Sequence, residues 1–441
     1  MTIRSGHSVI AKHTPQARVS AFCSKTALLL AFIVAFLFAN RAEAEDTIQV
    51  GILHSLSGAM APTETPLKDA MLMLIDLQNK KGGLLGKKLE AVVVDPASNW
   101  PLFAEKAREL ITKDHVAVVF GCWTAVSLQA VQPVFKELNS ILFYPSPESF
   151  SPVHNVFFTG GAPNQLAIPA VDYLMKDQGI GRWVLEGTDS NYPRTTHTIL
   201  KEYLKSKGVA DQDISINYTP LGNDNWQNRV AEIRTFSSAG KKTAVVLAAY
   251  GDAGAAFYRE LQSQGVKPQD VPVLTISMNE DQLPQIQFKP LVGHLIVSNY
   301  VQSVESPANG EFIKSWREFT KDPKRLSSAA MESDFIGFAM WVKAVEKVRS
   351  TDPDKVIAAL PGIEVQNLSG SISRMLPNHH VTKPVFISQI KEDGRISVLS
   401  KISDTRSDEK PDCPACPKSG ACPQAIAATC PTCPRSGACP Q

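Results

Sequence analysis

Six short segments hold the side chains of this sequence best suited to chemistry: residues 55–60, 121–125, 144–147, 187–194, 250–252 and 277–280. Each follows an apolar run, and together they offer hydroxyls, phenols, an indole and carboxylates. Hydroxyls and carboxylates accept hydrogen bonds and aromatic faces exclude water, so such a set suits the capture of a small polar molecule. Taken singly, each segment also reads as loop chemistry or a helix cap. Their recurrence after successive apolar runs lifts the set above that background. Catalytic patterns do not emerge. There is no G-x-S-x-G elbow, no G-x-x-x-x-G-K-[ST] loop, no H-E-x-x-H and no G-x-G-x-x-G. Cys122 stands alone without an identifiable activating base and reads as a buried filler. His379 and His380 are adjacent, so they cannot share one face of a helix or strand, and the pattern predicts surface imidazoles. A binding protein with no catalytic or metal site and no cofactor is the expectation.

The elements that must position these segments alternate. Residues 48–53 and 89–94 read as strands, as do 115–120, 141–144, 183–185, 243–249 and 271–276. Between them, 66–80 places Leu67, Ala70, Met71, Leu74 and Ile75 on one helical stripe, with Thr65 as cap and Pro66 in the first turn. Residues 101–113 do the same with Phe103, Ala107, Leu110 and Ile111. Nearly continuous apolar strands alternating with helices imply an α/β fold, with parallel sheets covered on both faces. Open sheets of this kind bind ligands beyond the carboxyl ends of their strands, which is where the six segments fall.

The chain has 441 residues, 44% hydrophobic and 20% charged, a length that suits two lobes. Its ends differ from the middle. A basic stretch to Lys25, the apolar run 27–39 and Ala42-Glu43-Ala44 form the pattern of a secretory leader, expected to end at residue 44. That run is shorter than the roughly 20 residues a membrane span needs. Without 1–44 the chain keeps 40 basic and 42 acidic residues, so no basic excess favours nucleic acid. After a polar linker, CPACPKSGACPQ (413–424) and CPTCPRSGACPQ (430–441) repeat one unit. In an oxidising compartment these six cysteines predict disulfides, possible cross-linking to a partner included, with thiolate binding of a soft metal as the rival.

In order along the chain, VGILHSLSGAMA (50–61), KGGLLGKKLEAVVVDPAS (81–98), AVVFGCWT (117–124), LFYPSP (142–147), GAPNQ (161–165), YPRT (192–195), VGHLIVSNY (292–300) and NHH (378–380) resemble the substrate-binding proteins of urea and short-chain amide ABC transporters. The resemblance implies a type I periplasmic binding protein: two Rossmann-like lobes joined by three crossovers, closing on a ligand. Lobe 1 would be 46–163 with 299–375, lobe 2 would be 164–298 with 376–403, and 404–441 would be a tail. It further implies an extracytoplasmic location, an ABC transporter permease as partner and a small polar solute as ligand. An extracytoplasmic sensor and an amino-acid-binding protein of the same fold are the alternatives. Carried over residue by residue, the ligand would meet Trp123, Thr124, Tyr144, Ser146 and Pro147 from lobe 1. Tyr192, Asp252 and Glu280 would come from lobe 2. Three departures fall in ligand-facing loops: Ala125 where the family has serine, Glu148-Ser149-Phe150 in place of a Y-E-G element, and Ser190 in place of a tyrosine. On these grounds urea itself is expected to bind weakly.

Overall fold

A computed structural model describes residues 1–2, 47–146, 153–220, 225–249 and 251–405. The chain divides into a unit at Met1–Thr47 and a second unit, Ile48–Gln441, that carries every element below. The expected leader and the cysteine repeats lie outside the described residues, as do Pro147 and the departure at 148–150. No described helix is long and apolar enough to cross a membrane.

The first sheet is built from β1 (Ile48–Leu53), β2 (Leu89–Val94), β3 (Val118–Gly121), β4 (Leu142–Tyr144) and β5 (Val156–Phe158). All are parallel, in the order β2-β1-β3-β4-β5. Three helices connect them: α1 (Ala61–Lys80), α2 (Trp100–Thr112) and α3 (Ala125–Glu137). Helix α1 begins five residues earlier than its sequence pattern predicts, with Met60 instead of Thr65 as its cap. Pro62 already supplies a proline at the helix start. Pro66 lies inside the helix and leaves the Pro62 carbonyl without its donor one turn on, a loss that the packing of Leu67, Ala70 and Met71 on the core offsets.

The second sheet begins after α4 (Pro163–Gln178). It takes β6 (Arg182–Thr188), α5 (Asn191–Ser206), β7 (Ile214–Thr219), α6 (Gln227–Ser237), β8 (Thr243–Ala248), α7 (Gly251–Ser263), β9 (Val273–Thr275) and β10 (Leu295–Ser298). The chain then returns to the first sheet with α8 (Pro307–Thr320), α9 (Ala329–Val348), α10 (Pro353–Ala359) and the small ribbon β11 (Glu364–Gln366) and β12 (Ile372–Arg374). It ends in antiparallel β13 (Lys383–Ile390) and β14 (Ile396–Thr405), completing the order β14-β13-β10-β9-β8-β6-β7. Each sheet is covered on both faces, so strands such as Thr243–Ala248 are buried at every position, as continuous apolar runs require. The result is an α/β protein of two lobes.

The chain passes between the sheets at 159–162, 299–306 and 376–382, and these stretches are stitched together. Phe158 bridges His380, and the Phe158 amide donates to the His379 carbonyl at 2.8 Å. The Asn299 side-chain amide donates to the Pro384 carbonyl, and that of Gln165 to the carbonyls of Val381 and Thr405. The two histidines are not surface groups. His380 is 3% exposed and stacks on Phe158 at 4.6 Å, while half-buried His379 stacks on Phe157 at 4.4 Å. His379 turns the chain with φ +63°, and each ring meets a neighbouring phenylalanine.

Candidate functional site

In parallel α/β lobes the carboxyl ends of strands and the amino ends of helices share one edge. At that edge of lobe 1, β3 ends in Gly121, where a Cβ would lie 2.2 Å from the Leu53 carbonyl oxygen. Only glycine permits that approach. Cys122 follows with φ +63° and is fully buried. Burial pushes its thiol well up, the charge of Glu64 adds to this, and a hydrogen bond with Ser127 opposes it. It fills space, as its solitary position predicts.

Trp123 and Thr124 come next, both half-buried. Thr124 caps α3: its hydroxyl accepts the Ser127 amide at 3.1 Å, and the Ser127 hydroxyl accepts the amides of Thr124 and Trp123 at 3.1 and 3.3 Å. This reciprocal box fixes the loop. Tyr144 ends β4 and is fully buried, its hydroxyl donating to the Trp123 carbonyl at 2.9 Å. The rings lie on opposite sides of the sheet. Trp123 packs on the core under α1 and α9, whereas Tyr144 belongs to the core under α2 and α3. Ser146 is 3% exposed beside the first crossover.

In lobe 2, Tyr192 opens α5 at 6% exposure, and its hydroxyl donates to the Ile276 carbonyl at 3.1 Å, tying two strand-end loops. Asp252 sits exposed in the first turn of α7. Glu280 begins a 3-10 turn, Glu280–Gln285, and accepts the Gln302 amide at 2.7 Å and that of Ser303 at 3.4 Å. Burial raises its carboxyl and these amides pull it back. Burial likewise brings its neighbour Asp281 up to about 6. The hydrogen bonds thus join Trp123, Thr124 and Tyr144 in one lobe. In the other they anchor Tyr192 to the loop after β9 and Glu280 to the second crossover.

Sequence reasoning missed the charged groups behind this edge. His54 and Glu64 are fully buried, with Nδ1 and Oε2 3.2 Å apart, and the same Oε2 accepts the Ser55 amide at 2.7 Å. Asp95 clamps the loop by accepting from the Leu56 amide, the Ser57 hydroxyl and the Ala97 amide. Burial works against its charge, but these bonds outweigh it and hold the carboxyl below its usual value. Glu332 and Asp334 at the start of α9 are buried too, and Lys383 of β13 meets Glu332 at 2.6 Å. The position of His54 and Ser55 directly after β1 was the available signal. A cavity of about 580 Å³ beside α8 and one of about 360 Å³ at the far edge of lobe 2 contain none of these residues. Strand-end chemistry outweighs void size as the marker of the site in such sheets.

Comparison with known proteins places this geometry. The family model described as a periplasmic binding protein domain matches residues 48–409. The Leu/Ile/Val-binding protein homolog 7 of Brucella melitensis biotype 1 is 23% identical over 391 residues, covering 83% of this chain and 95% of that one. A limonene hydroxylase of Geobacillus stearothermophilus is 30% identical over 111 residues. There the chain spans only 20% of the relative's length. A solute-binding protein of an ABC transporter from Rhodopseudomonas palustris HaA2, solved with p-hydroxybenzoic acid, superposes with a TM-score of 0.71 at 20% identity. It covers 82% of this chain and 98% of that one. The chain belongs to the periplasmic binding protein domain family, a class of extracytoplasmic, non-enzymatic solute-binding proteins.

Proposed function

We propose that this protein is the solute receptor of an ABC transporter, enclosing a small polar ligand between its lobes and presenting it to a membrane permease. The observation that carries this reading is the loop after β3, where half-buried Trp123 and Thr124 are locked by the capping box at the carboxyl edge of the sheet. A rigid indole offers a desolvated face for a planar ligand. Across the cleft, Asp252 and Glu280 supply acceptors for N–H groups. Urea, short-chain amides and related solutes match this chemistry, and the motif resemblance points the same way.

A second reading has its own support. The amides of Ala125 and Val126 lie at the start of α3 ahead of the Ser127 amide that Thr124 caps, where a helix favours an anionic group. The relatives named for p-hydroxybenzoic acid and for Leu/Ile/Val bind carboxylates. Thermal-shift titration of the protein with acetamide, urea, leucine and p-hydroxybenzoate tests both readings, because a ligand that binds only the native state raises the melting temperature. A rise with acetamide supports the amide reading. A rise confined to leucine or p-hydroxybenzoate replaces it with the carboxylate reading. No rise with any probe at 10 mM, roughly a hundredfold above a 0.1 mM Kd, overturns both ligand assignments.

A further inference from the structure

Lys383 is the first residue of β13 and belongs to lobe 2, where it pairs with Thr405, whose hydroxyl donates to the Lys383 carbonyl at 2.7 Å. Its side chain leaves that lobe. The ammonium is 2.6 Å from Glu332 Oε2 and donates to the Ser333 hydroxyl at 2.8 Å, both on lobe-1 helix α9. It also donates to the Thr159 carbonyl, in the first crossover, at 3.1 Å. An ammonium has three hydrogens, and three acceptors surround this one. Lys383 is 1% exposed, and Glu332, Ser333 and Thr159 are 0%, 2% and 1% exposed.

The surroundings leave the charge nowhere else to go. Asp334, His54 and Glu64 share the buried cluster, and among the described residues Asp334 Oδ2 and Glu332 Oε1 have no hydrogen-bond partner. Moving Lys383 away would strand the buried Glu332 carboxylate, and separating a buried pair is among the costliest single changes a fold can suffer. Apolar contacts can slide as lobes rotate, but this node cannot.

We propose that the Lys383–Glu332–Thr159 node is the pivot of the hinge, the fixed point about which the lobes close. The proposal rests on the lobe closure inferred above, so its test is chosen to need no ligand. Hydrogen exchange is followed in the full chain and in its Lys383→Met variant. The hinge amides are Phe158, Thr159 and Thr382, bonded to the carbonyls of His379, Tyr144 and Arg374. The core amides Val119 and Val245, bonded to the carbonyls of Ile141 and Pro272, serve as reference. A pivot predicts at least tenfold faster exchange at the hinge amides with core amides within twofold of the parent. A group that serves only general stability would speed both sets equally, and an inert group would change neither; either result overturns the proposal. Glu332→Gln, which keeps shape and removes the charge, must reproduce the hinge-selective change and decides the matter if Lys383→Met does not fold. A protein that binds no test solute but shows this selectivity keeps the pivot and loses only the ligand assignment.

Discussion

Gly160 is the position where one added carbon should do most harm. It lies in the first crossover, where a Cβ would sit 2.0 Å from the Ser146 carbonyl oxygen, 2.3 Å from its carbon and 2.6 Å from the Pro145 carbonyl oxygen. These are backbone atoms, so no rotamer change can relieve the clash. Ordinary contact demands that the two segments part by about 1 Å or more, yet they are tied together by the Thr159 amide donating to Tyr144 at 3.0 Å. Overpacking of this kind costs about 1–3 kcal/mol, and backbone against backbone puts Gly160→Ala at the upper end. For a lobe of this size about 3 kcal/mol lowers the melting temperature by about 6–12 °C. Gly310→Ala is the matched control. It lies in α8 with nothing within 4 Å of its Cβ, so it should gain about 0.5–1 kcal/mol by restricting the unfolded chain. Calorimetry of both variants decides the matter. Equal melting temperatures for Gly160→Ala and the parent would refute the close approach of crossover and loop.

Three further outcomes are expected. Burial raises Asp334 from 3.8 to about 7, with His54 and Lys383 opposing, so the folded state holds a proton that the unfolded state releases. Stability should therefore fall as pH rises from about 4 to about 7 and then level off; Asp334→Asn should flatten that slope in pH-dependent urea melts and be more stable than the parent at pH 8, by at most about 4 kcal/mol. Trp123→Ala should weaken binding of the solute at least tenfold, about 1.4 kcal/mol, by isothermal titration; unchanged affinity would remove the indole from the site. In exported, unreduced protein the six tail cysteines should be oxidised, read by intact mass as two hydrogens lost per bridge, and six free thiols or stoichiometric zinc would reverse that expectation.

The framework was legible because it is written in local pattern. Residues 48–53 and 89–94 form strands with the predicted bounds, since apolar β-branched runs between turns have few alternatives. The start of α1 was ambiguous because Pro62 and Pro66 both suit a first turn. The buried charges were not legible at all. Glu64 stands just before the expected cap Thr65 and Glu332 sits among polar residues, positions where acidic side chains are ordinarily solvated. Their burial is set by partners such as Lys383, 51 residues from Glu332 in the chain. The histidine pair was misread for the same reason: only tertiary pairing of Phe158 with His380 brings the aromatic rings to cover it.

Many of the polar groups this fold buries collect at one edge of its sheets. His54 follows the end of β1, Glu64 opens α1, and Glu332 and Asp334 open α9, all at the carboxyl edge of the first sheet. In lobe 2, Glu186 and Thr188 sit at the same end of β6, with Glu186 beside Asn217 and Arg229 and pushed by burial up to about 7. Nearby His197 is driven down to about 4. Apolar residues at such places would often be neutral or stabilising. At the opposite end of β6 the buried polar groups form a direct ion pair instead, Arg182 with Asp213 at 3.1 Å. Burying titratable groups at one edge of both sheets is the expected signature of a working cleft, because departures from ideal packing collect where function demands them. The cleft edge and the hinge therefore bear the cost together, which is why substitutions at the pivot and in the ligand loops should be felt in binding before they are felt in the cores.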